Sequence, residues 1–206
     1  MKLAIKPLVV STAALSLMFG VAQNAQAALI TGITASTDMG SNGTNIINTV
    51  NGQGLPSNTP SLTGAHQTAT GGNAWLGNQS TGNITFNLNG SYSLTGFSFW
   101  NLNNPGNTAG IKDVTVQSST NGTTWTTIAG APTQFAIAAN GPSNPQIVSF
   151  SPVTASFVRF VVSSNWGGSF AGFSEVQFHG TPVPEPSALL ALLAFGLGGV
   201  SLRKRL

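Results

Sequence analysis

The chain contains no cysteine among its 206 residues, and only 5% of its residues are charged. The first absence excludes disulfide bonds, thiolate metal sites and a cysteine nucleophile. The low charge content is most marked in the central part, residues 28–181, where two basic and three acidic residues leave a net charge of −1. These residues are Lys112, Arg159, Asp38, Asp113 and Glu175. Because no basic stripe is available to neutralise phosphates, we expect no nucleic-acid partner.

So few ionisable groups also argue against catalysis. Hydrolytic chemistry needs paired carboxylates, an activated nucleophile or a metal ion. Asp113 follows Lys112 on a predicted strand, where neighbouring side chains point to opposite faces. The sequence also has no Gly-x-Ser-x-Gly elbow and no phosphate-binding glycine loop that ends in lysine. We therefore predict that the chain is not an enzyme.

The amino-terminal segment has the three parts of a secretory signal. Two lysines stand near the start, residues 8–22 form a mostly apolar run, and the small residues Ala25 and Ala27 follow. Signal peptidase reads small side chains at these two positions. We predict a signal peptide over residues 1–27 that is cleaved after Ala27, and the alternative is a retained membrane anchor.

The carboxyl-terminal segment also has three parts in a fixed order. They are Val183, Pro184, Glu185 and Pro186, then the apolar or small residues 187–202, then Arg203, Lys204 and Arg205. A permanent membrane span needs about 20 apolar residues, so this stretch is marginal as an anchor. Basic clusters stay on the cytoplasmic side, which places the central part outside the cytoplasm. The signal peptide predicts the same topology.

This tail resembles the PEP-CTERM sorting signal, which combines a Pro-Glu-Pro motif, a short apolar helix and a terminal basic cluster. The resemblance implies recognition by an exosortase-type membrane enzyme and cleavage near residues 184–186. It also implies a protein that is held transiently at the inner membrane and then reaches the cell surface or the extracellular matrix. The alternative is an ordinary tail anchor after a proline-rich linker.

The central part has the pattern of an antiparallel β-structure. Apolar and polar residues alternate in four segments, 83–88, 113–117, 158–162 and 175–179. Such alternation is typical of half-buried strands, and Asn-Gly and Gly-Gly turn signals separate the segments. Residues 30–82 show less regularity, and we predict a first strand followed by long ordered loops. The fold class predicted is an all-β sandwich or barrel.

Three segments of this part resemble the discoidin-type domain, which is related to coagulation-factor C-type and galactose-binding-like domains. They are residues 81–100, 110–128 and 156–180. The resemblance implies an eight-stranded jelly-roll β-sandwich over residues 28–181. An amino-terminal signal helix would precede this domain, and an apolar helix within the sorting segment 182–206 would follow it.

The candidate binding residues lie in loops. Trp166 sits in a polar, glycine-rich segment, where its ring either closes the end of the barrel or contacts a ligand. The ligand-binding candidates are Trp166, Asn165, Ser169 and His66. The discoidin resemblance further implies a structural calcium ion near Asn51 and Glu175, and the alternative is a solvated Glu175. No other cofactor is expected.

Two functions follow from these observations. A surface with little charge that is rich in Asn, Gln, Ser and Thr suits sugar hydroxyls, and aromatic rings suit the apolar faces of sugars. The first hypothesis is therefore a module that binds extracellular polysaccharide. The alternative is a structural matrix or surface protein without a specific small ligand. The expected processing partners are signal peptidase and an exosortase-type enzyme.

Overall fold

The computed structural model describes residues 27–106 and 108–184. Within these residues the chain forms eight β-strands and two short 3₁₀ helices. The strands are β1 Ala28–Leu29, β2 Thr34–Thr37, β3 Trp75–Leu76, β4 Gly82–Asn101, β5 Val114–Ser119, β6 Thr126–Thr127, β7 Gln146–Val162 and β8 Gly172–Pro182. The 3₁₀ helices span Ile46–Thr49 and Pro56–Asn58. The predicted all-β class is confirmed, and the two predicted flanking helices lie outside the described residues.

Strands β4 and β7 are long because each of them contributes to both layers of the sandwich. The first part of β4 pairs with β2 and with the end of β7, whereas its second part pairs with β8 and with the start of β7. The register shifts between Asn87 and Tyr92, where Asn89 adopts a positive φ of 56°. Left-handed backbone at Asn is common in turns. This bend allows one continuous hydrogen-bonded sheet to fold into two layers.

In the alternating segment 83–88, the apolar residues are buried in the core, and the polar residues between them face the surface. Ile84, Phe86 and Leu88 are fully buried, whereas Asn83 and Thr85 between them are partly exposed. Phe86 of the first half of β4 and Phe97 of its second half both contact Phe160, with ring centroids 5.1 and 5.4 Å apart. The core between the layers is therefore built on aromatic rings in edge-on and tilted pairs, an arrangement that adds to the burial of apolar area.

The connecting loops gather at two ends. Loops 77–81, 102–113 and 163–171 meet at one end, which we call the loop end; residue 107 is outside the described residues. The bends of β4 and β7 and the 120–125 turn lie at the opposite end, which we call the turn end.

The segment 46–73 covers the outer face of β8 and of the second half of β4. The indole of Trp100 donates to the carbonyl of Gly64 at 3.0 Å, and Ser98 Oγ donates to the carbonyl of Leu62 at 2.7 Å. These contacts confirm that the segment forms ordered loops. The described part of the chain has no helix that is long and apolar enough to cross a membrane.

Candidate functional site

The loop that carries Trp166 is fixed to its neighbours by backbone hydrogen bonds. The amide of Trp166 donates to the carbonyl of Gly110 at 3.1 Å, and the amide of Gly168 donates to the carbonyl of Thr108 at 3.0 Å. The amide of Ala171 donates to the carbonyl of Gln79 at 2.8 Å. Residues from all three loops of the loop end therefore form one connected surface.

Trp166 is half-buried, and a cation lies over its ring. The Nζ atom of Lys112 is 5.2 Å from the ring centroid, within the range of a cation–π contact. The indole Nε1 is buried and has no acceptor among the described residues. The ring is therefore partly covered and is not part of the hydrophobic core, and its contact with a ligand stays a prediction.

Asp113 fixes the start of β5 to this loop. Ser164 Oγ donates to Asp113 Oδ2, and Gln134 Nε2 donates to Oδ1 at 2.9 Å. The bond from Ser164 is the main cause that lowers the pKa of Asp113 below its ordinary value. The Asp113 carboxylate therefore links the loop of Ser164 to Gln134, next to Lys112 in the sequence.

The side chains of Asn165 and Ser169 differ in whether they are free to contact a ligand. The Asn165 side chain donates to the carbonyls of Gly168 at 2.7 Å and Phe170 at 2.6 Å, and its Oδ1 accepts from the Gly167 amide at 2.9 Å. All of these bonds hold the loop together, so Asn165 shapes the loop and is not a free ligand contact. Ser169 is exposed beside it.

His66 is fully buried and does not lie in an accessible loop surface, which corrects its prediction as a ligand contact. Its Nδ1 is 2.7 Å from the carbonyl oxygen of Gln67, and its Nε2 is 2.9 Å from that of Gln53. Burial lowers the pKa of the imidazole. His66 therefore joins two loop segments, and the buried side chain of Asn103 bonds the same segment at the His66 carbonyl at 3.2 Å.

Glu175 is fully buried on β8, beneath the loop that contains Asn51. Its Oε1 accepts from the amide of Gly52 at 3.0 Å and from Gln177 Nε2, which also donates to the carbonyl of Val50 at 3.2 Å. Its Oε2 is buried and has no hydrogen-bond partner within the part of the chain that the structure describes. Burial raises the pKa of Glu175 to about 8. The prediction of a solvated Glu175 is therefore wrong.

These contacts fit a calcium ion poorly. Calcium takes six to eight oxygen ligands, but Glu175 Oε1 is already surrounded by N–H donors. Asn51 Oδ1 accepts from the amide of Gln53 at 2.9 Å, so the structure does not direct the two expected ligands to one point. Among the described residues, no group of three or more His, Cys, Asp or Glu is placed to hold a metal ion. The amide of Gln177 instead bridges Glu175 and the covering loop.

The sequence did not predict a cavity of about 160 Å³ beside β3. Residues from four separate parts of the chain line it: Thr44, Ala69, Thr70, Gly71, Ala74, Trp75, Leu76, Leu102 and Asn104. Trp166 and His66 are not among these residues. No local motif could have revealed the cavity, because its walls meet only in the folded chain.

The remaining tryptophans separate into core and surface. Trp75 and Trp100 are fully buried. Trp125 is only half-buried, and the guanidinium of Arg159 lies 4.2 Å from its ring centroid. Its ring packs against a charged side chain and not against the aromatic core.

Of the processing residues, Ala27, Val183 and Pro184 lie within the described part, and all three are exposed. The amide of Val183 donates to the carbonyl of Ser91 at 2.8 Å, so the ordered pairing ends just before Pro184. The other processing residues, Ala25, Glu185, Pro186, Arg203, Lys204 and Arg205, lie outside the described residues.

A two-layered jelly roll with a loop cluster at one end defines the galactose-binding-like class of β-sandwich. The profile of the F5/8 type C domain matches residues 32–176, so the chain belongs to the F5/8 type C family. Domains of this family are binding modules, and the prediction that the chain is not an enzyme is confirmed. The PEP-CTERM protein-sorting motif matches residues 182–205, which confirms the tail as an exosortase sorting signal.

Several solved structures share this fold at low identity. A family 89 glycoside hydrolase from Clostridium perfringens, in complex with GlcNAc-alpha-1,4-galactose, has a TM-score of 0.52 and 16% identity; the match covers 76% of this chain and 15% of the enzyme. The isolated CBM32-5 module of that hydrolase, in complex with GalNAc-beta-1,3-galactose, has a TM-score of 0.51 and 15% identity, with coverage of 73% and 99%. A truncated AlyQ with CBM32 and alginate lyase domains has a TM-score of 0.50 and 17% identity, with coverage of 78% and 35%. No curated protein matches the chain.

Proposed function

We propose that the chain is an exosortase-sorted protein of the cell surface or extracellular matrix, and that its F5/8 type C domain binds extracellular polysaccharide at the loop end. The observation that carries this proposal is Trp166, a half-exposed ring beneath the Lys112 ammonium on a rigid loop. A sugar ring presents apolar C–H groups that stack on such an indole. Ser169 is exposed beside it and offers a hydroxyl for hydrogen bonding.

The polarity of the domain supports a glycan partner over a charged one. The central part carries only five charged residues, so hydroxyl and amide groups dominate its polar surface. Uncharged polar groups exchange hydrogen bonds with sugar hydroxyls without the desolvation cost of a bare charge. Two similar structures carry sugars, as their descriptions state, and this shared fold makes a sugar the natural partner to test.

The direction of β8 supports the choice of the loop end. This strand begins at Gly172 at the loop end and runs for 11 residues to Pro182, the first residue of the sorting motif. At about 3.3 Å per residue, the strand separates the two ends by roughly 35 Å. While the tail holds the protein at the membrane, the Trp166 loop would therefore point away from the bilayer.

Retention on polysaccharide tests this proposal. The secreted protein should be retained on immobilised exopolysaccharide from the producing cells and should be eluted by a simple sugar. If it elutes with a non-binding protein of the same size, the domain has no glycan site of useful affinity. That result would favour the structural matrix protein without a specific ligand.

A further inference from the structure

The Asn-Gly pairs of the chain differ in how the fold holds them. An asparagine side chain reacts with the backbone amide of the next residue, and glycine obstructs this contact least because it has no Cβ atom. The reaction needs a glycine amide that is not hydrogen-bonded and an asparagine side chain that is free to rotate. The chain contains five such pairs, at residues 42–43, 51–52, 89–90, 121–122 and 140–141.

Two of these pairs are protected because the glycine amide is already bound. The amide of Gly52 donates to the buried Glu175 Oε1 at 3.0 Å. The amide of Gly141 donates to the carbonyl of Asn103 at 3.1 Å. A bonded amide keeps its proton and its position, so its nitrogen reaches the preceding side chain only when the segment opens. Both pairs are therefore slow to react.

Two further pairs are protected because the asparagine side chain is held. Asn121 Oδ1 accepts from the amides of Thr123 and Thr124, both at 2.9 Å. Asn89 Nδ2 donates to the carbonyl of Gly32. Each side chain must lose these hydrogen bonds before its Cγ atom turns toward the following amide, which slows the reaction.

Asn42 and Gly43 meet both conditions for reaction. Both residues are exposed. The Asn42 side chain and the Gly43 amide have no hydrogen-bond partner within residues 27–106 and 108–184. A Cβ atom added at Gly43 would meet no atom within 4 Å, so there is open space beside the reacting nitrogen. This pair is therefore the one that the fold leaves unprotected among the five.

We propose that Asn42 is a site of spontaneous deamidation in the folded, secreted protein. The Gly43 amide nitrogen loses its proton to hydroxide and forms a bond to Asn42 Cγ. The Cγ–Nδ2 bond breaks, and the side-chain nitrogen takes a proton from water and leaves as ammonia. Water then adds to one carbonyl carbon of the cyclic imide and breaks its bond to the Gly43 nitrogen, which leaves aspartate or isoaspartate. Water is the only co-reactant, and no group is oxidised or reduced.

The product carboxylate lies next to the loop end. The amide of Asn42 donates to the carbonyl of Leu76 at 2.8 Å, and the amide of Asn78 donates to the carbonyl of Met39 at 2.9 Å. The segment that carries Asn42 therefore adjoins loop 77–81. Deamidation adds one negative charge to a central part whose net charge is −1. The charge of this surface thus records the age of the folded protein.

Peptide mapping by mass spectrometry tests the proposal on secreted protein that has been incubated at mildly alkaline pH. Each Asn-Gly pair gives its own rate of conversion to aspartate and isoaspartate, so the four protected pairs are internal standards. We expect Asn42 to convert at least about fivefold faster than each of the others, the factor given by one hydrogen bond of ordinary strength. In denaturant, where every glycine amide is solvated, the five rates should be similar.

Asn140 provides a matched control, because it is also exposed but is followed by a glycine amide that is bonded. Asn42→Gln should abolish the acidic form that accumulates on ion exchange, since the glutamine reaction needs a larger ring and is slow. Asn140→Gln should leave the accumulation of that form unchanged.

Two results would overturn the proposal. In the first, Asn42 converts no faster than the other four asparagines in the folded protein. In the second, the acidic form accumulates at the wild-type rate in Asn42→Gln. Neither readout involves retention on polysaccharide, so the outcome is independent of the proposed function.

Discussion

Ala28 lies directly opposite Gly180 in the antiparallel pair of β1 and β8. The residue that follows the predicted signal-peptidase site is thus held beside the last strand, a few residues before the sorting motif. Both processing sites lie next to the same end of the sandwich, and Ala27, Val183 and Pro184 around them are exposed. The two predicted cleavages would therefore leave the hydrogen-bonded strands intact.

The released protein is expected to begin at Ala28 and to end within residues 184–186. Intact-mass measurement of the secreted form checks both ends independently. A mass that retains either apolar segment contradicts the corresponding cleavage. Glu185→Ala combined with Pro186→Ala should leave the tail attached, whereas Pro152→Ala, at an exposed proline outside the motif, should be processed normally.

Glu175 should make the stability of the domain depend on pH. Burial raises its pKa in the folded state to about 8, from the ordinary value of 4.5. Between these values the unfolded chain loses the proton that the folded chain keeps, so the free energy of unfolding falls as pH rises through this window. Below pH 4.5 this contribution is fully present, and above pH 8 it is lost. The total change is on the order of 5 kcal/mol.

Chemical unfolding at several pH values measures the slope of the free energy of unfolding against pH. Glu175→Gln should flatten it, because the amide keeps an acceptor for Gly52 and does not titrate. Asp113→Asn is the control: the pKa of Asp113 is lowered, so its carboxylate is ionised in both states across the window. If Glu175→Gln keeps the wild-type slope, another group causes the pH dependence.

Calcium should not stabilise the domain. The Gln177 amide already bridges Glu175 and the carbonyl of Val50, and Asn51 is bonded to Gln53. A ligand that binds only the folded state raises the melting temperature. We expect the same melting temperature with millimolar calcium and with chelator. A rise of several degrees in calcium would show that the covering loop rearranges to supply oxygen ligands.

The strands were predictable because their signal is local. The alternation around Phe86 and around Val176 is the alternation between core and surface, so period-two reasoning found both strands. The bend that divides β4 between two layers was not predictable in this way. It depends on pairing with partners that are distant in sequence, although Asn89-Gly90 marked its position as a turn.

The roles of loop residues were harder to predict, because a polar side chain in a loop can either bind a ligand or form hydrogen bonds within the protein. Asn165 and His66 look like binding residues in a sequence, but their side chains bond backbone groups within and between loops. Asn104 gave no signal, because it contributes to a cavity whose other walls are distant in sequence. The discoidin resemblance indicated the position of Glu175, but only the fold shows how Gln177 meets it.

Two tryptophans with similar surroundings allow the central claim to be tested directly. Trp166 and Trp125 are both half-buried, and each has a cationic side chain over its ring. Trp166 lies at the loop end, whereas Trp125 follows the turn after β5 at the opposite end.

The decisive measurement is retention of the secreted protein on exopolysaccharide for Trp166→Ala and Trp125→Ala, with the melting temperature of each variant. Loss of one stacking ring, worth about 1 kcal/mol, should weaken retention by Trp166→Ala roughly fivefold, with little effect from Trp125→Ala. Unchanged retention by a folded Trp166→Ala variant would contradict a glycan site at the loop end.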